Sequence, residues 1–108
     1  MNELYKVVGL WSAPQESDVD AFEKHYESTH VPLAAAVPGL QKISVARADD
    51  GFGGAAPAFH RIAEMYFDSP ESMAVSAQSA EWHAMHEDAQ QLIDRFGVTM
   101  QALAGWER

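Results

Sequence analysis

The chain has 108 residues, 47% of them hydrophobic, with 7 basic side chains, 16 acidic ones and no cysteine. That apolar content builds a core and excludes a disordered tail, and a net charge of −9 argues against nucleic-acid and anionic-membrane partners. The absence of cysteine excludes a disulfide scaffold, a thiolate zinc site and a Cys nucleophile. No basic leader precedes an apolar run, and no apolar stretch approaches the roughly 18 residues of a membrane span. The expectation is one domain over residues 1–108, located in the cytoplasm.

Leu4–Trp11 is a short apolar run with β-branched and aromatic members, closed by the Ser-Ala-Pro turn at Ser12–Pro14, and reads as a strand. A helix then starts at Ser17 or Asp18, where Ser17 and Asp20 suggest a capping box. Val19, Phe22, Tyr26, His30 and Leu33 recur at helical spacing and define one face. Pro32 is expected to end or kink this helix near Val31, with a further turn over Ala34–Val37 before the Pro38-Gly39 turn.

Leu40–Ala48 reads as a second strand and the Gly-rich stretch Asp49–Pro57 as a loop with no phosphate-binding pattern. Phe59–Phe67 reads as a third strand, its alternation placing His60, Ile62, Glu64 and Tyr66 on one face. Asp68-Ser69-Pro70-Glu71 starts a short helix to about Ala77. Ser79 caps a second from Ala80 to Arg95, and Gly97 stops it. Val98–Trp106 completes a β-α-β-β-α-β order, the ferredoxin-like α+β arrangement of an antiparallel sheet with helices on one face. The strands carry apolar residues on both faces: Tyr5, Val7, Gly9 and Trp11 alternate with Leu4, Val8 and Leu10. The simplest cover for the second face is another copy of the same sheet, hence a homodimer.

The segments Phe22–Leu33 (FEKHYESTHVPL), Val37–Leu40 (VPGL) and Ile62–Ser69 (IAEMYFDS) resemble the EthD-like family of the dimeric α+β barrel superfamily. The resemblance spans roughly residues 4–104 and rests on the combination of His-x-Pro-Leu with Pro-Gly-Leu. It implies a homodimer whose two sheets close into a barrel, with a small-molecule cavity in each protomer between sheet and helices. The wider superfamily includes cofactor-free polyketide cyclases and monooxygenases, muconolactone isomerases and haem-binding members, so the resemblance fixes the fold better than the reaction. Some barrel cyclases carry a catalytic His just after the second helix. Trp82 stands there, with His83 beside it, and Leu92 stands where the family's late stretch carries Phe.

His30 is the first candidate for chemistry. On an apolar stripe with Phe22 and Tyr26, a neutral imidazole can act as a general base on an acidic C–H or a phenol. The alternative is a core histidine that bonds a carbonyl at the helix end. Tyr26 can donate its hydroxyl to a substrate carbonyl or developing enolate, or simply pack. His60, sharing a strand face with Glu64 and Tyr66, needs partners or a ligand. Trp11, Phe22, Glu64, Tyr66, Trp82 and His83 are the candidate substrate-binding residues, the aromatics reading equally well as core. His83 and His86, three apart on the last helix, lack a third ligand and read as a solvated pair, so no metal is expected. His25 reads as solvent-facing.

Three readings follow. One is an enzyme without a cofactor that abstracts a proton next to a carbonyl of an aromatic or polyketide-like intermediate, as a cyclase, isomerase or monooxygenase-like catalyst. His30 is then the base, with Tyr26 or His60 stabilising the enolate. The second is a non-catalytic binding or accessory protein for a small hydrophobic metabolite. The third is a haem protein, which no residue here requires.

Overall fold

The computed structural model describes residues 3–108. Four strands, β1 (Tyr5–Trp11), β2 (Lys42–Arg47), β3 (Arg61–Phe67) and β4 (Met100–Trp106), form one sheet in the order β2-β3-β1-β4. Every neighbouring pair is antiparallel. The class is α+β with the ferredoxin-like topology expected from the element order, and each strand after β1 starts two residues inside its sequence-based limits.

The first helical stretch is more segmented than its apolar stripe suggests. A 3₁₀ turn (Glu16–Asp18) leads into α1 (Val19–His25), a π-helical turn (Tyr26–His30) and α2 (Val31–Ala35). The capping box at Ser17 does not form: Gln15 precedes the 3₁₀ turn and no side chain caps either start. Pro32 does not end the helix. The π turn carries one extra residue, so the chain reaches Pro32 in the first turn of a fresh α segment, where its missing N–H costs least. The later helices follow their caps. Ser69 accepts from Ser72 N–H to start α3 (Pro70–Ser76), and Ser79 accepts from Trp82 N–H to start α4 (Ala80–Phe96). Gly97 ends α4 in the left-handed conformation at φ 65°.

All the helices lie on one sheet face, and two apolar clusters hold them there. One gathers Trp11, Phe22, Tyr26, Ala89, Leu92, Phe96 and Val98; the other gathers Ala34, Val37, Met65 and Phe67. Between them the register aligns a row of mostly small residues across the sheet, Val45–Ala63–Gly9–Ala102. Small side chains cannot fill the layer beneath the helices, so a cavity opens over this row.

The opposite sheet face carries Val8, Leu10, Ile62 and Leu103, the last 56% exposed. One end of that face is polar: Lys6 bonds Glu64 at 3.0 Å and Tyr66 lies between Lys6 and Lys42. His60 does not join it. It precedes β3, outside the alternation that places Ile62, Glu64 and Tyr66 together, and turns instead to Glu23 and Phe22 on the helix side.

Candidate functional site

The cavity has a volume of about 310 Å³. Its floor is the helix-side face of all four strands, including Gly9, Ala63, Ala102 and the larger Met65 and Met100. Its roof comes from the π turn and α2 through Tyr26, His30, Val31 and Ala34, and from α4 through Trp82, Met85, His86 and Ala89. Trp11 closes one end, its ring edge-on to Phe22, Tyr26 and His30. The walls are apolar except for three side chains: Tyr26, His30 and His86.

His30 is buried and its Nδ1–H donates to Asp88 Oδ2 at 2.9 Å. An ionised carboxylate only accepts, so this bond fixes the proton of the neutral ring on Nδ1. No partner binds Nε2 among the described residues, which leaves its lone pair to the cavity that His30 lines. Burial holds the His30 pKa below its usual value, and the hydrogen bond and charge of Asp88 offset this only in part. The ring is therefore neutral at pH 7 and able to take a proton.

Asp88 lies on α4 and is itself buried. Its second oxygen, Oδ1, accepts from His25 Nε2 at 2.8 Å. His25 thus faces α4 rather than solvent, although its side chain stays 22% exposed on an outer groove with Asp94 and Arg95.

Tyr26 is fully buried and tilted over the His30 ring, with centroids 5.6 Å apart. Its hydroxyl is the one buried side-chain oxygen or nitrogen among the described residues that lacks a hydrogen-bond partner. Burial pushes its pKa up to about 12, so it remains a donor at any physiological pH. An unpaired buried hydroxyl costs about 1–3 kcal/mol. Tyr26 borders the cavity, and its hydroxyl is committed to no protein group.

The cavity thus gathers Trp11, Tyr26, His30 and Trp82. Phe22 packs behind it, stacked on Tyr26 with centroids 5.8 Å apart. His60 lies on the far side of Phe22, bonded to Glu23 Oε2 at 3.1 Å within a network in which Arg61 binds both Glu23 and Glu27. Glu64 and Tyr66 occupy the other sheet face and do not reach the cavity. His83 is exposed on α4, whereas His86, one turn on, reaches the cavity rim. Among the described residues, no group of three or more His, Asp or Glu is arranged to hold a metal ion. No helix among them is long and apolar enough to cross a membrane.

Sequence reasoning missed Asp88, His25 and the small-residue floor. Asp88 sits 58 residues from His30, and no spacing rule connects them. The floor had a signal: small residues at the centres of three strands mark a layer that packing cannot fill.

A family profile described as the EthD domain matches residues 14–95. The chain is 29% identical over 97 residues to the uncharacterized 11.0 kDa protein in the thcB-thcC intergenic region of Rhodococcus erythropolis, with 90% of each chain covered. Among solved structures, an ethyl tert-butyl ether d (EthD) family protein from Bacillus halodurans superposes with a TM-score of 0.85 at 28% identity, covering 97% of this chain and 99% of that one. A dimeric ferredoxin-like protein from Thermobifida fusca, 13% identical, superposes with a TM-score of 0.67 over 97% and 92%. That likeness is one of fold.

Proposed function

The chain belongs to the EthD family, and on that premise we propose that its cavity takes up a small uncharged molecule from which His30 removes a proton. The observation that carries this reading is the His30–Asp88 pair at 2.9 Å, buried beside an apolar cavity with Nε2 unbonded. A neutral imidazole with its tautomer fixed by a carboxylate is the arrangement a general base needs. The proton it takes is an acidic one, on carbon next to a carbonyl or on a phenol. As that bond breaks, negative charge moves to the oxygen, and Tyr26 supplies the donor that can meet it. Proton removal of this kind is the common first step of cyclisation, isomerisation and oxidation of an activated phenol, and it calls on no cofactor.

Size and lining set the substrate class. About 310 Å³ walled by Trp11, Trp82 and three methionines suits an aromatic or polyketide-like molecule of one or two rings. No free cation faces the cavity among the described residues, because Arg61 is held by Glu23 and Glu27, so a carboxylate ligand has no counter-charge. We propose further that two copies pair, as the Thermobifida fusca protein is described as dimeric, and that the face carrying Val8, Leu10, Ile62 and Leu103 is the one they bury.

The unpaired Tyr26 hydroxyl also supports a second reading, a binding protein without turnover, since it calls for a ligand acceptor whether or not chemistry follows. Proton exchange separates the two. An uncharged bicyclic ketone with an aryl-activated C–H next to the carbonyl, β-tetralone, is followed by NMR in deuterated buffer, with wild type and His30→Ala. Enzyme-accelerated loss of the C–H signal that His30→Ala abolishes supports the base. Binding without acceleration leaves the accessory protein. Native mass spectrometry of the same sample reads the dimer, and a monomer refutes the paired sheets.

A further inference from the structure

Asp88 is buried on α4 and its two oxygens are each taken by one histidine: Oδ2 by His30 at 2.9 Å and Oδ1 by His25 at 2.8 Å. The two histidines stand on opposite sides of the carboxylate. His30 reaches the cavity, and His25 reaches the outer groove. A proton-taking ring inside and a half-buried ring outside therefore share one negative charge. We infer that His25 is a positioning residue for His30, holding Asp88 from the solvent side so that its other oxygen keeps the His30 proton on Nδ1 and the lone pair towards the cavity. This inference rests on His30 being the base.

The geometry supports a structural and an electrostatic part. Structurally, a carboxylate held at one oxygen can rotate, and a rotated Asp88 loses the alignment that selects one His30 tautomer. Electrostatically, both rings bond the same carboxylate, so a charge on one is felt by the other. A proton arriving on His25 from solvent offsets the charge of Asp88 and makes His30 a weaker base. The other titratable groups around the pair are few. Tyr26 and His86 share the cavity with His30, Asp94 and Arg95 share the groove with His25, and β1 contributes only the Trp11 indole. Tyr26 stays neutral at these pH values, because burial carries its pKa to about 12.

The test uses the full chain, the exchange assay above and ¹⁵N spectra of the histidine rings. In wild type, the His30 ring reports the Nδ1–H tautomer. His25→Ala turns the His30 signal into a tautomer mixture and lowers exchange by about tenfold or more. His25→Gln keeps a neutral donor for Asp88. It restores the single tautomer and the exchange rate at pH 8, and it moves the acid limb of the pH profile to higher pH, because the competing positive charge is gone. A His30 tautomer and acid limb that neither variant changes overturn the inference. Should His25→Ala not fold, the His25→Gln limb decides alone: a shift supports the inference and an unmoved limb overturns it. Wild type that exchanges no proton refutes the base, not the geometry, which the ¹⁵N spectra then judge separately.

Discussion

The protein holds two buried histidine–carboxylate pairs, and they have opposite surroundings. His30–Asp88 stands at the wall of the cavity, with His25 as the only other partner of the carboxylate among the described residues. His60–Glu23 stands behind Phe22, where Arg61 donates to Glu23 through Nε at 3.1 Å and Nη2 at 2.6 Å, with Arg47 at 3.4 Å. In the second pair the carboxylate is saturated by guanidinium donors, and the imidazole is one partner among several with no cavity to serve. Such a pair ties β3 to α1. In the first the carboxylate faces imidazoles alone, so its charge acts on them. The same two residue types thus give a pair suited to the proposed base or a brace, depending on whether an arginine is present.

The largest effect is expected at the His30–Asp88 pair. Asp88→Asn leaves the shape of α4 but removes the charge and can present its amide to His30, selecting the wrong tautomer. Exchange on the ketone probe should fall by about 10²–10⁴-fold, the range for a lost general base. Glu23→Gln should leave exchange within a few-fold of wild type. Equal losses in both variants would erase the distinction between the pairs.

Stability should reverse the order. Glu23→Gln strips the charge that Arg61, itself buried, depends on, and about 3 kcal/mol of unfolding free energy should be lost. The pH dependence separates the pairs as well. Burial raises the Glu23 pKa, but the hydrogen bonds and charges of Arg61 and His60 outweigh this and leave it below 4.5. Its contribution is full above the ordinary carboxylate value and is lost as pH falls through the lowered folded one. His30 is also depressed, below 6.5, by burial first. Its unfolded form takes up a proton before its folded form does, so its contribution begins to fall as pH drops below about 6.5. Urea midpoints against pH should therefore decline in two stages. His30→Gln should remove the upper stage and Glu23→Gln the lower. A single stage in wild type would mean that one pair carries no differential charge.

The legibility of these features follows the range of the interactions. Strands and later helices were readable because alternation and the caps at Ser69 and Ser79 act within a few residues. His30 and Tyr26 were readable as members of one helical stripe. The role of Asp88 was hidden because it depends on the docking of α4 against the π turn, 58 residues away, and its neighbours Glu87 and Gln90 are ordinary surface residues. His60 was misplaced because alternation was extended one residue beyond the start of β3 at Arg61. The π turn itself has no local signature beyond Pro32, which only says that something in the helix must give.

Tyr26 links the two pairs, since the Arg61 guanidinium lies 4.8 Å from its ring centre and the His30 ring 5.6 Å away. Replacing it by Phe keeps the ring for Arg61 and removes only the hydroxyl that no protein group satisfies. Deleting one member of a good hydrogen bond destabilises, but deleting an unsatisfied buried group relieves a cost. Tyr26→Phe should therefore raise the stability of the ligand-free protein by about 1 kcal/mol, or roughly 4 °C in Tm. The same variant should weaken binding of the neutral ketone by about tenfold, the value of one hydrogen bond of about 1.4 kcal/mol. A variant that is both more stable and a poorer binder marks the hydroxyl as held for a ligand. Loss of stability would instead place an unseen partner, such as an ordered water, on Tyr26 and return it to the structural side of the comparison.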